Sequence, residues 1–177
     1  MTTESEVLTA AGRLGAFILR HTREIELVLN IQHRPCEMTG PSTYEALFKR
    51  AKRVLADAGS VGAVSRPFFD VDEANSLWTV YPRRDMNYAC RFWHDLMHVQ
   101  HGLLFELKDE MKLGQMQVGT IEREFGAHSL EARIMEADTC GQSLYDSIHG
   151  KFPTKQKTFV IDYIVSGASV ALMRSYE

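Results

Sequence analysis

Apolar residues recur at helical spacing over most of the chain. Leu14, Phe17, Ile18, Ile25 and Leu29, for example, fall three, four or seven residues apart along one helix face. The same reading, with proline and glycine as stop signals, predicts helices over about 4–31, 42–59, 85–105, 108–117, 121–149 and 154–176. Ser42 is the predicted N-cap of the second helix, with Glu45 three residues later as its capping-box partner.

The helical period is lost between Gly59 and Asp85. Short runs of β-branched and aromatic residues there, such as 77–81, are typical of an irregular segment or a short β-hairpin. The predicted fold class is therefore all-α: a single-domain helical bundle of about six helices, spanning residues 1–177, with one excursion near 59–85.

Composition narrows the class of protein. With 177 residues, of which 45% are hydrophobic, the chain can bury one core of ordinary size. The net charge of -3 argues against general binding to a nucleic-acid backbone. The three cysteines lack metal-type spacing, the first residues do not resemble a secretory signal, and no uncharged apolar run reaches about 18 residues. We expect a cytoplasmic protein that does not enter a membrane.

The segment 92–101 concentrates chemistry-bearing side chains. His94, His98 and His101 follow each other at i, i+4 and i+7, with Asp95 beside the first. On a helical wheel the apolar positions form a separate stripe, made by Phe92, Leu96, Val99 and Leu103. A solvated face would normally carry Glu, Lys and Gln, so the histidine face predicts a metal-binding or catalytic role.

The predicted long helix at 121–149 offers a complementary polar stripe. This stripe consists of Glu124, His128, Glu131, Asp138 and Gln142. Asp138 lies at the border with the apolar stripe, where a partly buried carboxylate favours a nearby cation.

The string His94-Asp95-Leu96-Met97-His98, followed by a later Ala137-Asp138, resembles the HD-domain superfamily of metal-dependent phosphohydrolases. The resemblance implies a helical fold that holds a divalent ion with His94, Asp95 and the distant Asp138. It also implies an early histidine ligand, for which His21 and His33 are the candidates. His98 would assist a second metal or the phosphate.

The reaction expected from this resemblance is metal-assisted hydrolysis of a phosphate ester or nucleotide. The candidate catalytic residues are His98, His128, Glu131 and Arg91. The sequence does not distinguish Mn, Mg, Fe, Co and Zn, and di-iron oxygenases with additional histidines share the superfamily. The expected partner is a small phosphorylated molecule or a nucleotide.

Other interpretations use the same residues. A zinc metallopeptidase would take Asp95 as the base of a variant HExxH motif and Glu131 as a third ligand. A ferritin-like di-iron centre needs its carboxylates on four helices, which this pattern does not supply. The alternative from another class is a non-enzymatic helical regulator or inhibitor that binds a partner protein, with the histidine face as a structural metal site or a contact surface. The small residues 166–169 suit close helix packing, in the core or in a homodimer.

Overall fold

Helices dominate the computed structural model, which describes residues 2–37, 41, 43–60, 65–73 and 78–177. The helices are α1 (Glu4–Leu29), α2 (Tyr44–Ala58), α3 (Arg84–His101), α4 (Leu107–Phe125), α5 (Leu130–Glu136), α6 (Gln142–His149), α7 (Gln156–Val165) and α8 (Ala168–Met173). A π-helical turn, Ala137–Gly141, joins α5 to α6. The predicted, mainly helical fold class is confirmed. Among these helices none combines the length and the apolar character needed to cross a membrane.

A two-stranded parallel sheet interrupts the helical pattern. Strands β1 (Gln32–Cys36) and β2 (Phe68–Asp72) pair with Gln32 opposite Phe68 and Cys36 opposite Asp72. Helix α2 is the crossover between them, as parallel strands require. β2 does lie in the predicted excursion, but its partner is 36 residues upstream and not the other arm of a local hairpin.

The start of α2 shows why the chain becomes helical there. The Thr43 hydroxyl accepts a hydrogen bond from the Ala46 amide at 3.2 Å, which satisfies one of the unpaired amides of the first turn. The predicted N-cap, Ser42, lies outside the described residues. Leu47, Ala51 and Val54 are buried and anchor the helix on the sheet.

The predicted long helix at 121–149 is wrong at its beginning. Residues up to Phe125 belong to α4, and the chain then turns through Gly126 (φ 99°) and His128 (φ 58°). Glycine adopts such positive φ values readily, so the chain can leave the helix there. The Ser129 hydroxyl then caps α5 by accepting from the Ala132 amide at 3.3 Å.

The last predicted helix, 154–176, is also two helices. Gly167, with φ 99°, separates α7 from α8. Helix α3 ends four residues before the predicted Phe105, because Gly102 forms a left-handed C-cap with φ 62°.

Backbone contacts divide the chain into two compact units. The sheet unit contains Ala16–Leu77 and Arg83–Phe105, and the terminal unit contains Met1–Gly15, Trp78–Pro82 and Glu106–Glu177. The sheet unit has a core between sheet, α2 and α3, formed by Ile31, Leu47, Ala51, Val54, Phe69, Val71, Phe92 and Leu96. The terminal unit buries Leu113, Ile121, Ile134, Tyr145 and Phe159. The single domain expected over residues 1–177 stays a prediction.

Candidate metal centre

Helix α3 is fixed by the apolar stripe that the sequence predicts. Phe92 is fully buried and meets Phe69 of β2 edge-on, with ring centroids 5.4 Å apart. Leu96 belongs to the same core. This packing sets the rotation of α3 about its axis, and therefore the direction in which its histidines point.

His94 and His98 form a pair of facing imidazoles one helical turn apart. Their Nε2 atoms are 3.1 Å apart and their ring centroids are 4.7 Å apart. The His98 residue is only 1% exposed, whereas His94 is half-buried. His101, a turn later, is exposed. The structure therefore separates the three histidines of the motif into a close pair and a surface residue.

The backbone after α3 fixes the proton on the His98 ring. His98 Nδ1 lies 2.9 Å from the Leu103 carbonyl oxygen, and the Leu103 amide donates to the His98 carbonyl at 3.0 Å. A carbonyl oxygen can only accept, so Nδ1 is the atom that carries the proton. Nε2 of neutral His98 is then left with its lone pair, directed at His94. A backbone carbonyl on the distal nitrogen is the usual support of a metal-binding histidine.

The separation of the two Nε2 atoms suits a shared ion. Two nitrogen ligands at about 2.0–2.1 Å from a tetrahedral Zn²⁺ lie about 3.3 Å apart, close to the distance observed. Within the sheet unit, His94 and His98 are the described side chains that belong to a group able to hold a metal ion.

Asp95 is half-buried beside this pair. Burial raises the pKa of its carboxyl group, and electrostatic interactions with the basic side chains of His94, Arg91, His98 and Arg50 oppose that rise. The Asp95 carboxyl group therefore has several basic side chains within electrostatic range. Its predicted role as a metal ligand stays a prediction.

The two candidates for an early histidine ligand both lie in the sheet unit. The His21 ring stacks on Phe17 at 5.5 Å and meets Trp93 edge-on at 4.8 Å. His33 stacks on Phe92, and its Nδ1 lies 2.9 Å from Oε1 of the buried Glu26. Neither belongs to the described group that could hold a metal, and the choice between them stays open.

The predicted polar stripe of the long helix is interrupted. Glu124 ends up in α4 and Glu131 in α5, with His128 in the turn between them. The His128 side chain is 94% exposed, and the buried Glu131 forms an ion pair with the largely exposed Arg13. The stripe is broken between Glu124 and Glu131, because Gly126 and His128 interrupt the helical period on which it was counted.

Asp138 and Arg91 have specific polar contacts. Asp138 lies in the π-helical turn and accepts from Tyr81 Oη at 3.0 Å and from Gln142 Nε2 at 2.7 Å. The pairing with Gln142 is the i, i+4 contact that the stripe predicts. Arg91 donates from Nη1 to the Asp72 carbonyl at 3.3 Å. The functional roles expected of Asp138 and Arg91 stay predictions.

No protein-family model, curated protein or solved structure matches the chain.

Proposed function

We propose that the protein is a metal-dependent hydrolase acting on a phosphate ester or nucleotide, with His94 and His98 as metal ligands. The observation that carries the proposal is the facing pair of Nε2 atoms, 3.1 Å apart, with the proton of His98 fixed on the opposite nitrogen. Imidazole ligands favour Zn, Fe, Co, Ni or Cu over Mg or Ca.

The chemistry assigned to the site follows from these residues. A bound divalent ion would lower the pKa of a coordinated water to about 7 and supply a nucleophile at neutral pH. His98 is held rigidly by the Leu103 carbonyl, so it orients the site. Half-buried Arg91, three residues before His94 on the same face, can stabilise developing negative charge.

The resemblance to HD-domain phosphohydrolases supports the same reaction class. It adds Asp95 and Asp138 as carboxylate ligands, and either His21 or His33 as an imidazole ligand. These assignments remain part of the proposal.

The first test is the metal content of the purified protein. We expect close to one equivalent of a transition metal or zinc in the wild type, and loss of most of it in His94→Ala and His98→Ala. His101→Ala is the matched control, since it removes an exposed histidine from the same helix. Equal metal content in all three variants would disprove the site.

The second test is turnover of nucleotides and simple phosphate esters by the metal-loaded protein. Hydrolysis that disappears with His98→Ala but persists in His101→Ala supports an enzyme. Release of phosphate that does not depend on the metal would contradict the proposal.

A structural metal site in a non-enzymatic regulator is the second candidate. The observation that favours it is the near-complete burial of His98, since structural sites are closed to substrate. This candidate predicts stoichiometric metal and a loss of stability on chelation, with no turnover of any phosphate ester.

A further inference from the structure

The backbone carbonyl groups along the outer edge of β2 have a defined direction. Pro67 and Glu73, at the two ends of this strand, make backbone hydrogen bonds to β1 at 3.0 and 3.1 Å. In a parallel pair the backbone groups that face the partner belong to alternate residues. The carbonyls of Asp70 and Asp72 therefore point away from β1, towards the side on which β2 has no strand partner among the described residues.

Two arginines cover these outward carbonyls. Arg50 of α2 donates from Nη1 to the Asp70 carbonyl at 3.0 Å, and Arg91 of α3 donates from Nη1 to the Asp72 carbonyl at 3.3 Å. Carbonyls two residues apart on one strand are separated by about 6.6 Å. The two guanidinium groups therefore lie side by side along the edge of β2.

This pair of arginines lies next to the histidine pair. Arg91 precedes His94 by three residues, so their side chains leave α3 on the same face, one turn apart. The Asp95 carboxyl is within electrostatic range of both arginines and both histidines. The edge of β2 and the metal-binding face of α3 thus meet in the sheet unit.

We propose that Arg50 and Arg91 together bind the phosphate group of the substrate, beside the metal-binding histidines. The inference rests on the proposed function and names the residues that would bind the phosphate group of its substrate. A guanidinium has five N–H donors in a planar fork that matches phosphate oxygens, so a contact to a carbonyl still allows it to bind an anion. The carbonyl contacts hold both forks in place before the anion arrives, which lowers the ordering cost of binding.

Arg50 is the decisive residue. The sequence places it in an amphipathic helix and gives no sign of a function, whereas Arg91 is a candidate from its position in the motif. A role limited to covering the strand edge predicts that removing Arg50 lowers stability and leaves phosphate affinity unchanged. A phosphate-binding role predicts a loss of affinity.

The test measures binding of inorganic phosphate to the metal-loaded protein by isothermal titration calorimetry. We expect Arg50→Ala to weaken binding at least about tenfold, as loss of a charge-assisted hydrogen bond does, with unchanged metal content. Arg53→Ala is the control, because it removes the same charge from an exposed position of α2. Its phosphate affinity should stay within about twofold of the wild type. Arg50→Gln, which can still donate to the Asp70 carbonyl, serves if the alanine variant does not fold.

Three outcomes would overturn the inference: a metal-loaded wild type that does not bind phosphate, equal affinities in the Arg50 variants and the wild type, or an equal loss in Arg53→Ala. Arg50-dependent phosphate binding in a wild type that holds no metal would leave the arginine pair standing. That result would instead refute the proposed metal-dependent function.

Discussion

At the scale of single residues, the free energy of a charged side chain that is shielded from water depends on its oppositely charged partner. The side chain of Glu131 is 6% exposed and accepts from both Nε and Nη2 of Arg13 at 2.6 Å, whereas the Arg13 side chain is 55% exposed. The arginine can recover solvent contact if the pair is broken, but the glutamate cannot.

Arg13→Ala should therefore destabilise the protein. A fully buried pair would lose about 3–5 kcal/mol, and solvent screening on the arginine side reduces this to about 1–2 kcal/mol. Urea unfolding at neutral pH measures the change, with exposed Lys112→Ala as the control. An effect no larger than that of Lys112→Ala would mean that Glu131 is solvated once Arg13 is gone.

Single residues also show how much of the candidate site can be predicted from the sequence. Helical spacing places His94 and His98 on one face, and the structure brings their nitrogens together. The carbonyl that fixes the His98 proton comes from Leu103, beyond the end of the helix. Its position depends on the left-handed turn at Gly102, and a periodic pattern does not describe such a turn.

At the scale of elements, α4 packs closely against the π-helical turn in the terminal unit. A Cβ atom on Gly114 would lie 2.5 Å from the Cys140 sulfur and 2.9 Å from the Thr139 hydroxyl oxygen. Gly119, one and a half turns later on α4, has only the end of the Arg123 side chain nearby, at 3.9 Å. The two glycines therefore lie in different packing environments, although they belong to the same helix.

Opposite changes in stability are expected from these two positions. Gly119→Ala should stabilise the protein by about 0.5–1 kcal/mol, since alanine is the better helix former. Gly114→Ala should destabilise it by about 1–3 kcal/mol, because the added methyl group collides with the turn. Thermal unfolding of both variants measures the difference, and a stabilising Gly114→Ala would show that α4 and the turn can separate freely.

Helix α7 contributes a pH-sensitive group to the same unit. Burial, with smaller effects from the charges of Glu136 and Cys140, raises the pKa of Tyr163 to about 12. The unfolded chain loses this proton near the ordinary value of about 10. Stability from the protonated phenol is therefore complete below about pH 10 and is lost as the pH rises through about 12.

Tyr163→Phe should flatten the decline of stability between about pH 10 and 12. Urea unfolding at several alkaline pH values measures the slope, and Tyr44→Phe, at the start of α2, controls for removal of a hydroxyl elsewhere. Parallel slopes in Tyr163→Phe and the wild type would contradict the assignment.

Elements were predictable where the signal is local. Helix α2, for example, is predicted over about 42–59 and forms over Tyr44–Ala58. The break after Phe125 escaped prediction because glycine is also tolerated inside helices, so Gly126 alone does not mark an end. The pairing of β2 with β1 was not predicted, because no turn signal marks a partner 36 residues away. Such pairing is set by packing in the folded sheet unit.

At the scale of the whole molecule, bound metal should act as a stabilising ligand. An ion present at about 100 times its dissociation constant adds about 2.7 kcal/mol to the free energy of unfolding. For a chain of 177 residues this corresponds to a rise in Tm of about 5–10 °C.

Differential scanning calorimetry of the chelated and metal-loaded protein measures this rise. We expect it in the wild type and in His101→Ala, and its absence in His98→Ala. A similar rise in all three proteins would place the ion elsewhere.

Composition and periodicity were sufficient for the mainly helical class, because most helices bury a continuous apolar stripe. They did not resolve the division into two compact units, since unit boundaries such as Gly15 and Phe105 carry no linker-like composition. The arginine pair could not be foreseen either, because it depends on which carbonyls of β2 face outward.

The spacing of His94 and His98 also bears on the order of folding events. Residues four apart meet as soon as one helix forms, on a timescale of about a microsecond, whereas the sheet must first close a 36-residue segment. A metal ion can therefore bind α3 while the strands are still apart. Bound early, it would stabilise a helical nucleus onto which β1, α2 and β2 then condense, so metal should accelerate folding and change the unfolding rate little.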